Sequence, residues 1–168
     1  MKFAVSQTPE QDGADPLDLL AALCEAQGWA YRSEGEFEIV IDVPGSWTKY
    51  QLRAIWRIED RVLQILCLPD IQVPAAKRAS LFELLALVNE QIWVGHFDIW
   101  SNGGVLLYRH GLMLGDEGLL GVSQGQAIVE TAVGECDRFY PAFQFALWGD
   151  KEPEEALANA LVDAAGEA

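Results

Sequence analysis

Cysteine is scarce in this sequence, and its pattern excludes two classes of small protein. Cys24, Cys67 and Cys136 are odd in number and far apart, and none belongs to a Cys-x-x-Cys motif. This pattern fits neither a disulfide framework nor a zinc finger. We therefore expect three buried, reduced thiols and a cytoplasmic location.

Long apolar runs are also missing. The first residues carry too short an apolar run for a signal peptide. No run approaches the ~18 apolar residues of a membrane helix. We expect no membrane as a partner.

Basic residues are few. The chain has 11 Lys and Arg against 26 Asp and Glu, a formal net charge of -15. Binding to a nucleic-acid backbone or to an anionic membrane requires a basic surface, so we expect neither partner. The acidity favours solubility and partners with basic or amphipathic segments.

Catalytic signatures are absent from the sequence as well. There is no Gly-x-Ser-x-Gly elbow, no Cys/His nucleophile pattern and no Gly-rich loop that opens a helix. His96 and His110 fall on the two strands of a predicted hairpin, but their spacing is not a known metal-ligand pattern. Whether they share a face depends on the register of the hairpin. We predict no enzymatic activity, no cofactor and no metal.

Length and periodicity predict one folded domain of α+β class between two tails. At 168 residues the chain has the size of a single domain. We expect a flexible tail over residues 1–14, a domain over 15–149, and an acidic tail over 150–168 that is either disordered or a loosely attached helix. The element order α-β-β-β-α-β-β-α predicts an antiparallel sheet of about five strands with helices packed on it.

The element boundaries follow from caps, alternation and turns. Asn102-Gly103 predicts a tight hairpin turn because both residues tolerate positive φ, and Pro141 predicts a kink or break in the last helix. The predicted elements are a helix from Asp15 to Gly28, a short extended piece at 29–33, strands at 36–43, 48–59 and 61–68, a helix from Pro74 (or Ser80) to about residue 94, a hairpin at 96–101 and 105–109, and a helix from Ser123 to Trp148.

A basic stripe follows one predicted strand of this acidic protein. It consists of Lys49, Arg53, Arg57 and Arg61. One interpretation is pairing with carboxylates of the neighbouring strand, which are Glu36, Glu38 and Asp42. The other is a docking strip for an acidic partner segment.

The hairpin supplies two further candidates for partner binding. We expect most of the six tryptophans in the core, but Trp100 precedes the turn and is the best candidate for an exposed anchor. Asp98 and Arg109 lie opposite or diagonal to each other, as an ion pair or as a recognition site on an exposed sheet face. The predicted partner-binding residues are Arg53, Arg57, Trp100 and Arg109.

The stretch Leu84–Trp100, continued by Gly104–Arg109, resembles the YbjN family of bacterial proteins. That family's pattern has an Asn-containing turn after a helix, a Gly-aromatic strand and an aromatic-Arg pair. Asn89, Gly95, Phe97, Tyr108 and Arg109 stand at those positions. The stretch Val133–Phe143, with its Tyr140-Pro141 step, is also similar, so that the resemblance extends over about Asp15 to Gly149.

The resemblance implies a regulator of sensory transduction with a fold similar to that of type III secretion chaperones. Such chaperones are often dimeric and bind extended segments of client proteins, and no catalytic residues come with the resemblance. We therefore expect a non-enzymatic, cytoplasmic protein-binding module, chaperone-like or regulatory, whose protein partner is unidentified.

Two alternatives stay open at this point. One is a small-molecule sensor or enzyme with a pocket between helix and sheet, in which Arg109 and His110 would be buried. The other is a homodimer formed through the edge strand of the hairpin.

Overall fold

The computed structural model describes residues 13–166, and side chains up to residue 162. The elements are β1 (Gly13–Ala14), α1 (Pro16–Gln27), β2 (Tyr31–Ser33), β3 (Glu38–Pro44), β4 (Lys49–Arg57), β5 (Val62–Leu68), a short 3-10 helix (Ala75–Lys77), α2 (Arg78–Asn89), β6 (His96–Ile99), β7 (Leu106–Met113), β8 (Leu120–Gly121), α3 (Val122–Trp148) and α4 (Pro153–Gly166).

Six strands form one antiparallel sheet in the order β2-β3-β4-β5-β7-β6. The α+β class is as predicted, but the sheet has one strand more than the expected five. The additional strand is β2, whose three residues pair with Ile39–Ile41. Three residues are too few to show the alternation by which the other strands were found.

The acidic segment after Gly149 forms the helix α4. It packs against α2 and α3, and Ala156 and Ala160 are completely buried there. Of the two predicted alternatives, disorder or a loosely attached helix, the helix is correct, but it is packed and not loosely attached. Its small alanine side chains allow close approach of the helices, so the alanine content reflects packing.

The first helix begins as its sequence predicts. The Asp15 carboxylate accepts hydrogen bonds from the backbone N–H groups of Leu17 at 3.0 Å and Asp18 at 3.3 Å. Pro16 occupies the first turn, where its missing N–H costs nothing. Gly28 ends the helix in the left-handed conformation.

The hairpin turn differs from the predicted one. Positive φ falls on Gly103 and Gly104, at 80° and 65°, and Asn102 is not among the residues with positive φ. The N–H of Trp100 donates to Val105 O at 2.9 Å, which closes a four-residue loop. The glycine pair, not Asn102-Gly103, therefore makes the turn.

Both long helices also differ from their predicted bounds. Helix α2 ends at Asn89, about five residues early, and its α-helical part begins at Arg78 after a 3-10 turn. Helix α3 starts at Val122 without a side-chain cap and continues through Pro141. The start predicted at Ser123 is one residue late, and of the two outcomes predicted at Pro141, a kink or a break, the break does not occur.

All three cysteines are free and buried, as predicted. Burial raises the pKa of Cys24 to about 11. The neighbouring Cys67 thiol and then burial raise the pKa of Cys136 well above its usual value. Such thiols are poor nucleophiles at neutral pH because little thiolate forms. None of the described helices is both long and apolar enough to cross a bilayer.

Candidate functional site on the open face of the sheet

The helices cover only one face of the sheet. The core that they share with the strands contains alternate strand residues, such as Ile41, Leu52, Ile65 and Tyr108. The residues between them point to the other side, on which no helix packs among the described residues. We call this side the open face.

The register shows how the open face is built. One residue from each of the six strands forms its central row: Arg32, Val40, Arg53, Leu66, Arg109 and His96. Arginines alternate with apolar residues along this row as far as Arg109. Val40 and Leu66 are only 1% and 3% exposed although no helix covers them. Arginines flank both of them in the row, and the aliphatic stem of an arginine typically covers neighbouring apolar surface. The open face is thus an apolar floor beneath guanidinium groups.

Charge on this face differs from that of the whole chain, because basic residues are concentrated on it. Five of the eleven basic residues lie at strand positions of this face, namely Arg32, Lys49, Arg53, Arg57 and Arg109. Its strand positions also include three carboxylates, namely Glu38, Asp42 and Asp98. Glu34 and Asp60, which pair with Arg32 and Arg57 from the adjoining turns, bring the carboxylates to five as well, so the open face is close to neutral on a protein with a net charge of -15.

The basic stripe is only partly neutralised by the neighbouring strand. Arg53 pairs with Glu38 at 2.5 Å, as the first interpretation predicts. Arg57 pairs instead with Asp60 in its own turn, and Arg61 with Asp116 in the loop before β8. Pairing with the adjacent strand therefore explains Arg53 and not the stripe as a whole.

Arg109 has a neutral partner. Asp98 lies diagonally from it on the same face, but its Oδ1 accepts the N–H of Ile99 at 2.8 Å. The Gln64 side-chain amide can be oriented with its oxygen towards the Arg109 guanidinium. In that orientation the oxygen accepts hydrogen bonds from Arg109 Nε at 3.1 Å and Nη2 at 3.2 Å. The predicted Asp98–Arg109 ion pair is absent, and Arg109 has no carboxylate partner among the described residues.

Trp100 lies at one end of this face. It follows β6, and the alternation of Asp98 and Ile99 places it on the open side, where it is 40% exposed. All four residues predicted to bind a partner, which are Arg53, Arg57, Trp100 and Arg109, therefore share one face. Most other tryptophans are not in the core: Trp56 is buried, whereas Trp47, Trp93 and Trp148 are more than half exposed.

The histidines do not form a site together. His96 pairs with Arg109 on the open face, and His110 pairs with Ile65 on the helix-covered side. Burial lowers the pKa of His110, which favours its neutral form. Arg109 and His110 consequently lie on opposite faces and do not line one pocket.

In the described part of the chain, a cleft of about 700 Å³ lies at the end of β7, between Met113 and the loop that follows it. Two further clefts border the sheet. One of about 460 Å³ lies at the end of the open face, between Gln51, Leu68 and Val105. Another of about 400 Å³ lies between α1 and the β2–β3 hairpin, with Tyr31 and Phe37 in its lining. Of these two, the first extends the open face, and the second is separate from it.

The edge strand β6 is closed to further pairing. The Asn89 amide donates to Phe97 O at 3.1 Å and accepts from Phe97 N–H at 2.8 Å. Asp98 accepts the next outward N–H, that of Ile99. These side chains imitate a neighbouring strand, a known protection of sheet edges. A homodimer cannot pair through this edge without displacing them.

The residues around Asn89 explain the sequence pattern quoted above. Gly95 has a φ of 74°, and a side chain there would collide with the Tyr108 hydroxyl. That hydroxyl donates to Val94 O at 2.5 Å. The Phe97 ring meets Tyr108 edge-on, with centroids 5.6 Å apart. The pattern therefore fixes the end of α2 against the sheet, and only Arg109 of it points to the open face.

The fold and the open face define a two-layer α+β protein with one arginine-rich sheet face that no helix covers among the described residues. Comparison with family models then places the chain: residues 16–145 match YbjN, "Putative bacterial sensory transduction regulator". The chain belongs to the YbjN family, which confirms the resemblance seen in the sequence and indicates a regulatory role at the family level. No curated protein matches the chain.

Proposed function

We propose that this protein is a cytoplasmic regulator that binds a segment of a partner protein across the open face, without catalysing a reaction. The observation that carries the proposal is the convergence of Arg53, Arg57, Trp100 and Arg109 on one face without helices. The family's regulatory description supports the same role.

The composition of the open face fits protein recognition. Arginine and aromatic residues are enriched in interface cores. Met113 is 80% exposed at the far end of the face from Trp100, and its cross-strand partner Val62 is half-buried beside it. A partner segment would bury this apolar surface and meet the guanidinium groups around it.

The wider resemblance supports the same proposal. Type III secretion chaperones, which the fold is expected to resemble, bind extended client segments. A homodimer of the present protein would use a surface other than the β6 edge, because Asn89 and Asp98 occupy that edge.

Affinity capture with matched variants tests the proposal. The bait would be the purified protein in extract of the native cells, compared with Trp100→Glu combined with Arg53→Glu. The control, Trp148→Glu combined with Lys151→Glu, makes the same chemical changes at exposed positions of the helical layer. We expect a partner that the wild type and the control retain and the open-face variant loses.

The capture result is decisive only if both variants are folded, which thermal denaturation would establish. A partner retained equally by both variants would contradict the assignment of the open face. A partner lost only in the control would place binding on the helical layer instead.

The cleft between α1 and the β2–β3 hairpin supports a second candidate function, the binding of a small molecule. Its lining includes the exposed aromatic residues Tyr31 and Phe37 and the buried Trp56. A thermal-shift screen of metabolites would show stabilisation that Ala21→Phe, which narrows the cleft, removes. Ligands that stabilise the wild type and Ala21→Phe equally would contradict a site there.

A further inference from the structure

Arg109 differs from the other arginines of the open face. Each of the others has a carboxylate partner: Arg32 has Glu34, Arg53 has Glu38 and Arg57 has Asp60. Arg109 has the neutral Gln64 amide instead. Asp98, its diagonal neighbour, forms no ion pair with it, so Arg109 lacks a salt bridge among the described residues, and it stands in the central row of the sheet.

Gln64 fixes the orientation of the Arg109 guanidinium without neutralising it. The amide oxygen takes the Nε–H and one Nη2–H. The remaining donors, both on Nη1 and one on Nη2, stay available for a ligand. Two parallel N–H donors from Nη1 and Nη2 match the two oxygens of a carboxylate.

The surroundings of Arg109 strengthen such a pair. Its cross-strand neighbour Leu66 and its neighbour along the strand, Leu107, are 3% and 0% exposed. A carboxylate that pairs there would lie over an apolar floor, where a partner segment would exclude water. Electrostatic attraction is stronger in such a medium than in bulk water.

The width of the open face limits the length of its ligand. Six strands at ~4.8 Å spacing make the open face about 24 Å wide, which is about seven residues of extended chain. Beyond that width the ligand meets the acidic remainder of a chain with net charge -15. Charges interact over about 8 Å at physiological salt, so a long polyanion would be repelled where a short segment is not.

We propose that the partner segment is short and acidic, and that one of its carboxylates pairs with Arg109, which Gln64 positions. This inference rests on the proposed function, since it names the chemistry recognised by the same face.

Two labelled peptides of about seven residues test the chemistry. In one Glu and Val alternate, and in the other Lys replaces Glu. Fluorescence anisotropy should show that the wild type binds the Glu peptide at least about tenfold more tightly than the Lys peptide. Equal binding of the two, or no binding of the Glu peptide up to about 1 mM, would overturn the inference.

Variants of Gln64 and Arg109 test the positions. Gln64→Glu keeps the shape of the side chain and neutralises Arg109 internally, so it should weaken the Glu peptide about tenfold. Arg109→Glu should reverse the preference towards the Lys peptide, which a merely structural role would not produce. Lys151→Glu changes the net charge by the same amount as Arg109→Glu on the helical layer and should bind like the wild type.

The outcomes separate this inference from the proposed function. If Gln64→Glu binds the Glu peptide like the wild type, or Arg109→Glu does not reverse the preference, the inference fails. If the capture experiment nevertheless shows a partner lost only in the open-face variant, the face binds a partner of other chemistry and the proposed function stands.

Discussion

At the scale of a single residue, the Asn89 side chain takes the place of a neighbouring strand at the edge of the sheet. Its side chain satisfies both outward backbone groups of Phe97, at the point where helix α2 ends. The sequence pattern identified Asn89 as typical of the family, but its role depends on a partner eight residues away in a different element. Local propensity alone could not show that role.

Replacing Asn89 tests this account at the scale of one residue. Asn89→Ala leaves the N–H and C=O of Phe97 without partners, so the free energy of unfolding should fall by about 1–3 kcal/mol. Urea denaturation measures the loss. Asn102→Ala is the matched control at an exposed loop position whose own φ is not positive, and it should change stability by less than about 0.5 kcal/mol. Equal effects of the two substitutions would contradict the edge-capping role.

At the scale of elements, Pro141 and the turn between β3 and β4 form one unit. Proline has no N–H, so the carbonyl of Asp137, four residues earlier, lacks its usual helical donor. The indole N–H of Trp47 donates to that carbonyl at 2.9 Å, and the Trp47 ring stacks on Tyr140. The Asp137 carboxylate also accepts the Tyr50 hydroxyl at 2.5 Å. Helix α3 thus continues through Pro141 because the turn supplies the missing donor.

A double-mutant cycle tests this connection. Trp47→Phe in the wild type removes the donor to the Asp137 carbonyl and should cost about 0.5–1.5 kcal/mol of unfolding free energy, the net value of an exposed hydrogen bond. In a Pro141→Ala background the helix supplies its own donor, so the same substitution should cost less. Chemical denaturation of the four proteins measures the coupling. Additive effects would show that Pro141 and Trp47 act independently.

The sequence predicted the elements whose pattern is long and regular. Strands β3 to β5 alternate over seven or more residues, and the caps of α1 are local. The extended piece predicted at 29–33 contains β2, but its three residues were too few to show that it joins the sheet. The continuation of α3 through Pro141 has a tertiary cause, the contact with Trp47.

For the candidate site, the sequence indicated the residues Arg53, Arg57, Trp100 and Arg109. It did not show that they lie on a face without helices among the described residues. It also could not show that Gln64, two strand positions from Leu66, faces Arg109.

At the scale of the whole molecule, buried tyrosine and cysteine side chains make the free energy of unfolding decrease at alkaline pH. Burial, with the Asp137 hydrogen bond, raises the pKa of Tyr50, and burial raises the pKa of Tyr108. Burial also raises the pKa of Cys24 to about 11. The unfolded chain therefore loses these protons at lower pH than the folded protein does, and the stability they contribute is complete only below their ordinary pKa values.

We expect the free energy of unfolding to be steady near neutral pH and to fall as the pH rises above about 9. Tyr50→Phe removes one titrating group and should make the decline above pH ~10 shallower by up to about 1.4 kcal/mol per pH unit. Denaturation series at increasing pH measure both slopes. An unchanged slope in Tyr50→Phe would contradict a titration that is shifted by folding.

The two faces of the sheet differ in charge and in role. The helical layer and the sheet face beneath it form the core, and the opposite face carries five basic residues in an acidic chain. Recognition through the open face would leave the core unchanged, so that a partner could bind without rearrangement of the fold.

Site-specific photo-crosslinking in the native cells tests the central claim most directly. A photoreactive amino acid would replace Met113 on the open face, and in a second strain Phe82, which is 53% exposed on α2. We predict a discrete protein adduct from position 113 that Arg109→Glu weakens, and none from position 82. The same adduct from both positions, or an adduct only from position 82, would contradict binding on the open face.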